Sequence, residues 1–520
     1  MGRLQRFAVL ISLLLAILAF LPSCGSSQVY GKIKKISKSK ITIETGNCSS
    51  ASDSKKNAAK AAEATENTEG SFQADGGSAD YSLSADINSS DLTEGTCVKL
   101  TVEEDTVMAI ETLSYPKPET ASSQETDPHL KEAKQSALLL VDDKKTDASG
   151  KNYNTHKSNA NTILVGNRGS LQMSGSTLTK SGDTTNGTKS RLHGLNAVLI
   201  ASEGSNASID NTTLTSGGKG ANGIFATGKD TVISANDIKI QTTGNASSGL
   251  DATYGGCIHA EGLEIATKGT DSPAIAADEQ QGTIKVTNTA VDSEGENSPC
   301  IRAEGHVKAM WVKGGASQSS IAVLENSGQI MLDSCILRGS GESGILYKAS
   351  GTGTSAENEK GVLNATDSQL TTTCNGPMIS MDSGSLSVIM ENTTCYYSGQ
   401  VFAKVAGTLT LKGIDQVFKG SIVCQPGSSV RLKLTKGTLF EGAVDQEDAA
   451  KFSSVTMDAD STWKVTENSY LNSLKNKDKQ CRNIQSNGHT VYYDPSHKDN
   501  AWLKGKVLSL PGGGKLAPVN

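Results

Sequence analysis

The chain has 520 residues, with 49 basic and 55 acidic side chains mixed along it for a net charge of -6. That balance lacks the basic footprint of a nucleic-acid binder. Only 4% of the residues are aromatic while 53 are glycine, so small side chains must fill whatever core forms.

In chain order, Arg3 and Arg6 precede an apolar run from Phe7 to Leu21 that is too short and wrongly flanked for a permanent membrane helix. The run closes on Leu21-Pro22-Ser23-Cys24, which resembles the bacterial lipobox. The resemblance implies a signal peptide over residues 1–23 and a lipid on Cys24; an ordinary signal peptide is the alternative. Of the remaining cysteines, Cys48 and Cys97 lie in one region and are candidates to pair. Cys257, Cys300, Cys335, Cys374, Cys395, Cys424 and Cys481 are widely spaced without a C-x-x-C clip and read as small side chains among strands.

Residues 24–113 read as the anchor and a small β-rich region. Val29–Gly46 and Cys97–Leu113 alternate apolar and polar residues around charged turns, the pattern of two hairpins. Between them, SSASDSKKNAAKAAEATENTEG offers almost no large apolar side chain and reads as a mobile insertion. Pro, Ser and charged residues over 114–134 read as a linker and mark the domain boundary.

From residue 135 a repeat takes over. One apolar position per third strand, at Leu178, Leu214, Ile240, Ile265, Val291, Val312, Leu337, Leu370 and Cys395, recurs mostly every 25 or 26 residues. A second column, Val198, Ile224, Leu250, Ile275 and Ile301, keeps the same step. Two columns with one period mean that equivalent residues stack once per coil. Three short strands in a coil of this length predict an all-β fold: a right-handed, single-stranded parallel β-helix of the pectate-lyase type over 135–427, since parallel crossovers are right-handed. At about 4.8 Å per coil, about a dozen coils make a rod on the order of 60 Å. Residues 428–520 lose the period but keep strands, and Trp463, Tyr492, Tyr493 and Trp502 read as parts of irregular terminal coils and a cap.

The pieces LHGLNAVLIASEGSNASIDNTTLTSGGKGANGIFATG, SGLDATYGG and VYYDPSHKDNAWLKGKVLSLPGGGKLAP resemble the adhesin-like β-helix surface proteins of anaerobic and gut-associated bacteria. The resemblance spans nearly all of 135–520 and implies surface display on the cell envelope without a known reaction. At Arg191-Leu192-His193-Gly194 the chain departs from the aromatic residues of that family, so the resemblance assigns that loop no role.

Candidate sites begin with irregularities. Two coils run long, through SGDTTNGTKSRLHG (Ser181–Gly194) and KASGTGTSAENEKG (Lys348–Gly361), and insertions on a solenoid are where binding loops sit. The outward position after the second column holds Phe225, Asp251, Ala276 and Arg302, placing Asp251 and Arg302 two coils apart, roughly 10 Å. Asp251, Tyr254 and Arg302 are the candidate binding residues; a turn-capping role for Asp251 is the plainer reading. No column stacks Asp or Glu on successive coils, so no catalytic residue is assigned. His259 and His306 lack converging partners, so neither a metal site nor a cofactor is assigned. The expected function is therefore a lipid-anchored binder of a glycan or a host or cell-surface protein; a surface spacer and a polysaccharide lyase or glycoside hydrolase are the alternatives.

Overall fold

The computed structural model describes residues 27–37, 40–48, 72–83, 97–103, 106–113, 130–279, 281–350 and 359–519. The apolar leader with Cys24, the insertion at 49–70, most of the linker and most of the second long loop lie outside the described residues. So do the side chains of Cys48 and Cys97. The chain divides into two compact units, residues 1–124 and 125–520.

In the first unit the two expected hairpins form, β1 (Ser27–Ile36) with β2 (Lys40–Cys48) and β4 (Cys97–Glu103) with β5 (Thr106–Leu113). A further strand, β3 (Phe72–Leu83), joins them into a closed barrel of order β1-β2-β3-β5-β4, with β3 parallel to β5. Alternate residues Ile41 and Ile43, Val98, Leu100 and Val102 point inward with Ile33 and Val107. A closed five-stranded barrel removes exposed sheet edges.

The second unit is a parallel β-solenoid of about 16 turns. Each regular coil contributes one strand to each of three sheets. The first sheet has 12 strands, from Leu139–Asp142 to Ser421–Cys424; the second has 14, from Lys145–Asp147 to Ser473–Asn476; the third has 10, from Asn152–Thr155 to Thr394–Tyr396. The count exceeds a dozen because coils continue past residue 428. Ser429–Thr435, Phe452–Met457 and Ser473–Asn476 stack in the second sheet on shortened coils.

Inward columns follow the alternation in the sequence. Ile265 lies between Ile240 and Val291 in register, and all three are buried. Two assignments shift. The coil after Val291 places Gly314, not Val312, in that column, and a Cβ there would meet the Val291 carbonyl oxygen at 1.7 Å. Val312 is buried beside the preceding corner, while Met310, two residues before it, faces out on the second sheet. In the other column Leu199 replaces Val198 as the partner of Ile224. Both residues are buried, so hydrophobicity alone does not separate them.

The corners are built from polar atoms that the stacking satisfies. Between third and first sheets, the Ser247, Ser272 and Ser298 hydroxyls form a ladder: Ser272 Oγ accepts from the Ser247 amide and Ser298 Oγ from the Ser272 amide. Each also donates to a glycine carbonyl one coil back. Between second and third sheets the backbone is left-handed in coil after coil. Asn211, Asp237, Gly262, Asn288, Ser334, Asp367, Asn392 and Asp415 supply it, residues whose small or polar side chains suit that region. Trp311, with φ 53°, is the exception.

Toward the C-terminus aromatics replace the thin aliphatic columns. Phe402 and Phe418 lie 4.8 Å apart, and Phe440 stacks on Trp463 at 6.0 Å. Trp463 and Tyr493 are fully buried, with the Trp463 indole donating to the Gly442 carbonyl and the Tyr493 hydroxyl to that of Lys506. Trp502 is half-buried and donates to the Leu474 carbonyl. Tyr492 instead stacks on Tyr470 outside the core.

Candidate functional site

The outer face of the first sheet is not a bare solvated surface. Its outward column runs Leu140, Leu164, Ile200, Phe225, Asp251, Ala276, Arg302, Val323 and Leu346. Over the first part lie two short helices, α1 (Lys131–Ser136), from the end of the segment read as linker, and α2 (Gly187–His193), from the first long coil. Leu130 at the start of α1 and Ala133 within it, with Leu195 and Ala197 after α2, bury Leu164, Ile200 and Phe225. Lys134 fixes α1 through ion pairs to Glu203 at 2.6 Å and Asp142 at 3.2 Å.

α2 is set by its ends. The Asn186 side chain accepts from the Lys189 amide at the N-terminus, and Gly194 takes a left-handed φ of 68° at the C-terminus. A Cβ at Gly194 would stand 2.5 Å from the Phe225 ring, so the close approach also requires glycine. The last turn reaches along the axis to later coils. Thr253 Oγ1 donates to the Leu192 carbonyl at 2.8 Å, the His193 ring stacks on Tyr254 at 5.3 Å, and Arg191 lies 3.7 Å from Glu279. The insertion at Ser181–Gly194 and the Asp251–Tyr254 turn, read separately in the sequence, thus form one covered patch.

Beneath and beside this lid is a charged cluster. Asp251 is 1% exposed and its Oδ1 has no hydrogen-bond partner. Burial pushes its carboxyl well above the usual carboxylate range, the negative charge of Asp278 adds to this, and Arg302, Arg191 and Ser248 oppose it. Asp278, equally buried, takes a two-pronged contact from Arg302: Nε to Oδ1 at 3.0 Å and a shorter contact to Oδ2. Desolvation works against the Arg302 charge, but Asp278 and Asp251 overcome it and hold the guanidinium cationic. Arg302 and Asp251 therefore share a cluster, as their common column suggested, with Asp278 as the group that links them.

Asp278 also corrects the reading that no carboxylates stack. Extending the register of the strands by one residue aligns Thr253, Asp278, Glu304 and Glu325 on successive coils. Lys348 follows opposite Glu325. Burial raises the Glu325 carboxyl, Arg302 lowers it, and Asp278 and Glu304 raise it again. Asn326 Nδ2 donates to Glu304 Oε1 at 2.8 Å. This column stands two residues beyond the Asp251–Arg302 column, on the same face, and only the nearer column was tested in the sequence.

Chemically, the patch places a carboxyl driven toward its protonated form next to a carboxylate neutralised by arginine. Tyr254, half-buried with φ 50°, turns the chain beneath His193. His259 lies elsewhere, on the second sheet, with its Nε2 3.2 Å from Cys257 Sγ; burial and Lys285 hold its imidazole low. Among the described residues no three His, Cys, Asp or Glu side chains converge in metal-binding geometry. The cysteines from Cys257 onward are free thiols, and Cys300, Cys335, Cys424 and Cys481 are buried. No family model, no curated protein and no solved structure matches the chain, which stands on its architecture as a β-solenoid of about 16 turns.

Proposed function

We propose that the chain is a lipid-anchored surface protein of the bacterial cell envelope that binds a glycan or a cell-surface partner and catalyses no reaction. One observation carries the non-catalytic part: the neighbouring carboxylates of the outer face already have partners or are buried. Asp278 is held by both prongs of Arg302, Asp251 is buried beside the last turn of α2, Glu304 accepts from the Asn326 side-chain amide, and Glu325 stands opposite Lys348. Glycoside hydrolysis asks for an acid and a base facing an open substrate with about 5 to 10 Å between them. A covered cluster instead clamps an inserted loop to a rigid scaffold, the arrangement from which binding loops are displayed. Anchoring rests on the lipobox-like Leu21-Pro22-Ser23-Cys24, and surface display on the resemblance to adhesin-like proteins.

Cys24→Ser should move the chain out of the membrane fraction or leave it as uncleaved precursor; a processed, membrane-bound variant would overturn the anchor. The soluble Cys24→Ser chain, applied to a glycan array and to whole cells, should bind without releasing reducing ends or unsaturated products. Release of either from any polysaccharide would make the protein an enzyme, and absence of all binding would leave it a spacer.

A further inference from the structure

The corner between second and third sheets carries a residue that the fold does not explain. Every other corner of this column from Asn211 to Asp415 uses Asn, Asp, Gly or Ser, whereas Trp311 holds an indole on left-handed backbone. A bulky residue there is strained. Packing does not compensate, because Trp311 is 53% exposed. On the next coil Met331 and Ile336 are exposed at 42% and 45%, one on each side of the corner. Three of the few exposed large apolar residues among those described therefore share one ridge.

The charges around the ridge are of mostly one sign. Lys285 and Lys308 stack on adjacent coils of the second sheet, and Lys313 and Arg338 flank the corner on the third. Among the described residues none of the four makes an ion pair. Three acids stand nearby: Asp333, which accepts from the Ser334 hydroxyl, Asp292, in the Arg338 column with Gly315 between, and Asp367, at the corner of the coil after Ser334. Four cations against three carboxylates, of which Asp367 already accepts from the Asn392 side-chain amide, leave the ridge positive. Its backbone is fixed, the Trp311 amide donating to the Asp333 carbonyl and the Ser334 amide to that of Thr366.

We propose that this ridge binds an acidic carbohydrate, the Trp311 indole stacking on a sugar ring while Lys308, Lys313 and Arg338 take its carboxylates or sulfates. The proposal rests on the glycan-binding reading and names its ligand class. An exposed aromatic face is a platform for a flat ring, and unpaired cations select an anionic one. Coils spaced about 4.8 Å apart present one cation after another to a chain laid along the axis, a spacing close to one sugar residue. Rigidity of the scaffold keeps the ordering cost of binding low.

The test uses the soluble Cys24→Ser chain with heparin, polygalacturonate and neutral dextran, followed by tryptophan fluorescence. Of the 3 tryptophans, Trp463 is buried and Trp502 half-buried, so the exposed signal is that of Trp311. Binding of an acidic polymer and not of dextran is expected. Trp311→Asn, which installs the side chain of the Asn288 and Asn392 corners, should leave the melting temperature unchanged or higher and weaken binding about tenfold or more, as loss of one stacked ring does. Replacing Lys308, Lys313 and Arg338 with Gln should remove the salt dependence of binding. If Trp311→Asn binds the polymers as the parent does, or if anionic phosphatidylglycerol vesicles bind and acidic polymers do not, the inference is overturned. Binding of cells or a neutral glycan with no acidic polymer bound would overturn it while leaving the glycan- or cell-binding reading intact.

Discussion

Inner and outer faces of the same strands are built by different rules. Inside, Leu250 and Ala252 continue aliphatic columns in which each residue meets its equivalent one coil away. Outside, on the same strand, Asp251 meets Phe225 on one side and Ala276 on the other, and an insertion from an earlier coil covers it. Repetition specifies the inside because every coil solves the same packing problem. The outside is solved once, locally, by long-range contacts that no period announces.

Substitutions on the two faces sharpen the contrast. Ile265→Asp puts an unpaired charge between Ile240 and Val291 and should cost about 5 kcal/mol or more, read by chemical unfolding of the intact chain. Arg302→Ala should cost about 3 kcal/mol by stranding the Asp278 carboxylate in the cluster; a loss well under 1 kcal/mol would mean that solvent reaches Asp278. Asp251→Asn should act in the opposite direction. The native fold holds the Asp251 proton more tightly than the unfolded chain does, so its contribution is favourable below about pH 4 and is lost as pH rises. The variant should gain about 1 to 2 kcal/mol at pH 7 and nothing at pH 3, and a loss at pH 7 would show that the ionised form is the stable one. Smallest is Glu264→Lys. It exchanges an exposed pair with Lys239, 3.2 Å apart, for a repulsion and should change stability by less than about 0.5 kcal/mol.

How much was legible in the sequence follows from the same contrast. The solenoid and most of its inward columns came from a two-residue alternation inside a 25-residue period. Errors fell where that period slips. The coils joining Val291, Gly314 and Leu337 are short, so Val312 took a place that belongs to a glycine, which no search for apolar residues can find. Shortened coils past residue 428 hid the last turns for the same reason. β3, FQADGGSADYSL, has too few large apolar residues to announce a strand. Of the candidate site, Asp251 and Arg302 were picked out from one outward column and Tyr254 from its nearness to Asp251. The Asp278–Glu304–Glu325 column, two residues on, required the register. The cover of α1 and α2 required the fold, since neither is longer than two helical turns. Trp311 left a trace in retrospect: it occupies the place where neighbouring repeats write Asn, Asp, Gly or Ser.

The serine ladder at the third corner has a genetic consequence. Because the bonds of Ser247, Ser272 and Ser298 reach no further than their own and the adjoining coils, a coil carries its own splice points. Joining Gly249 to Ile275 would delete one unit and return the ladder hydroxyls and inward columns to equivalent neighbours, at the cost of the Thr253 and Tyr254 contacts to α2. Unequal recombination between coils that carry no such outer contact can therefore lengthen or shorten the molecule in whole coils while the interior keeps its packing. Duplicating the coil that bears Trp311 would add a second aromatic step to the ridge by the same exchange, so that reach and the number of ligand contacts can evolve together while the interior stays as it is.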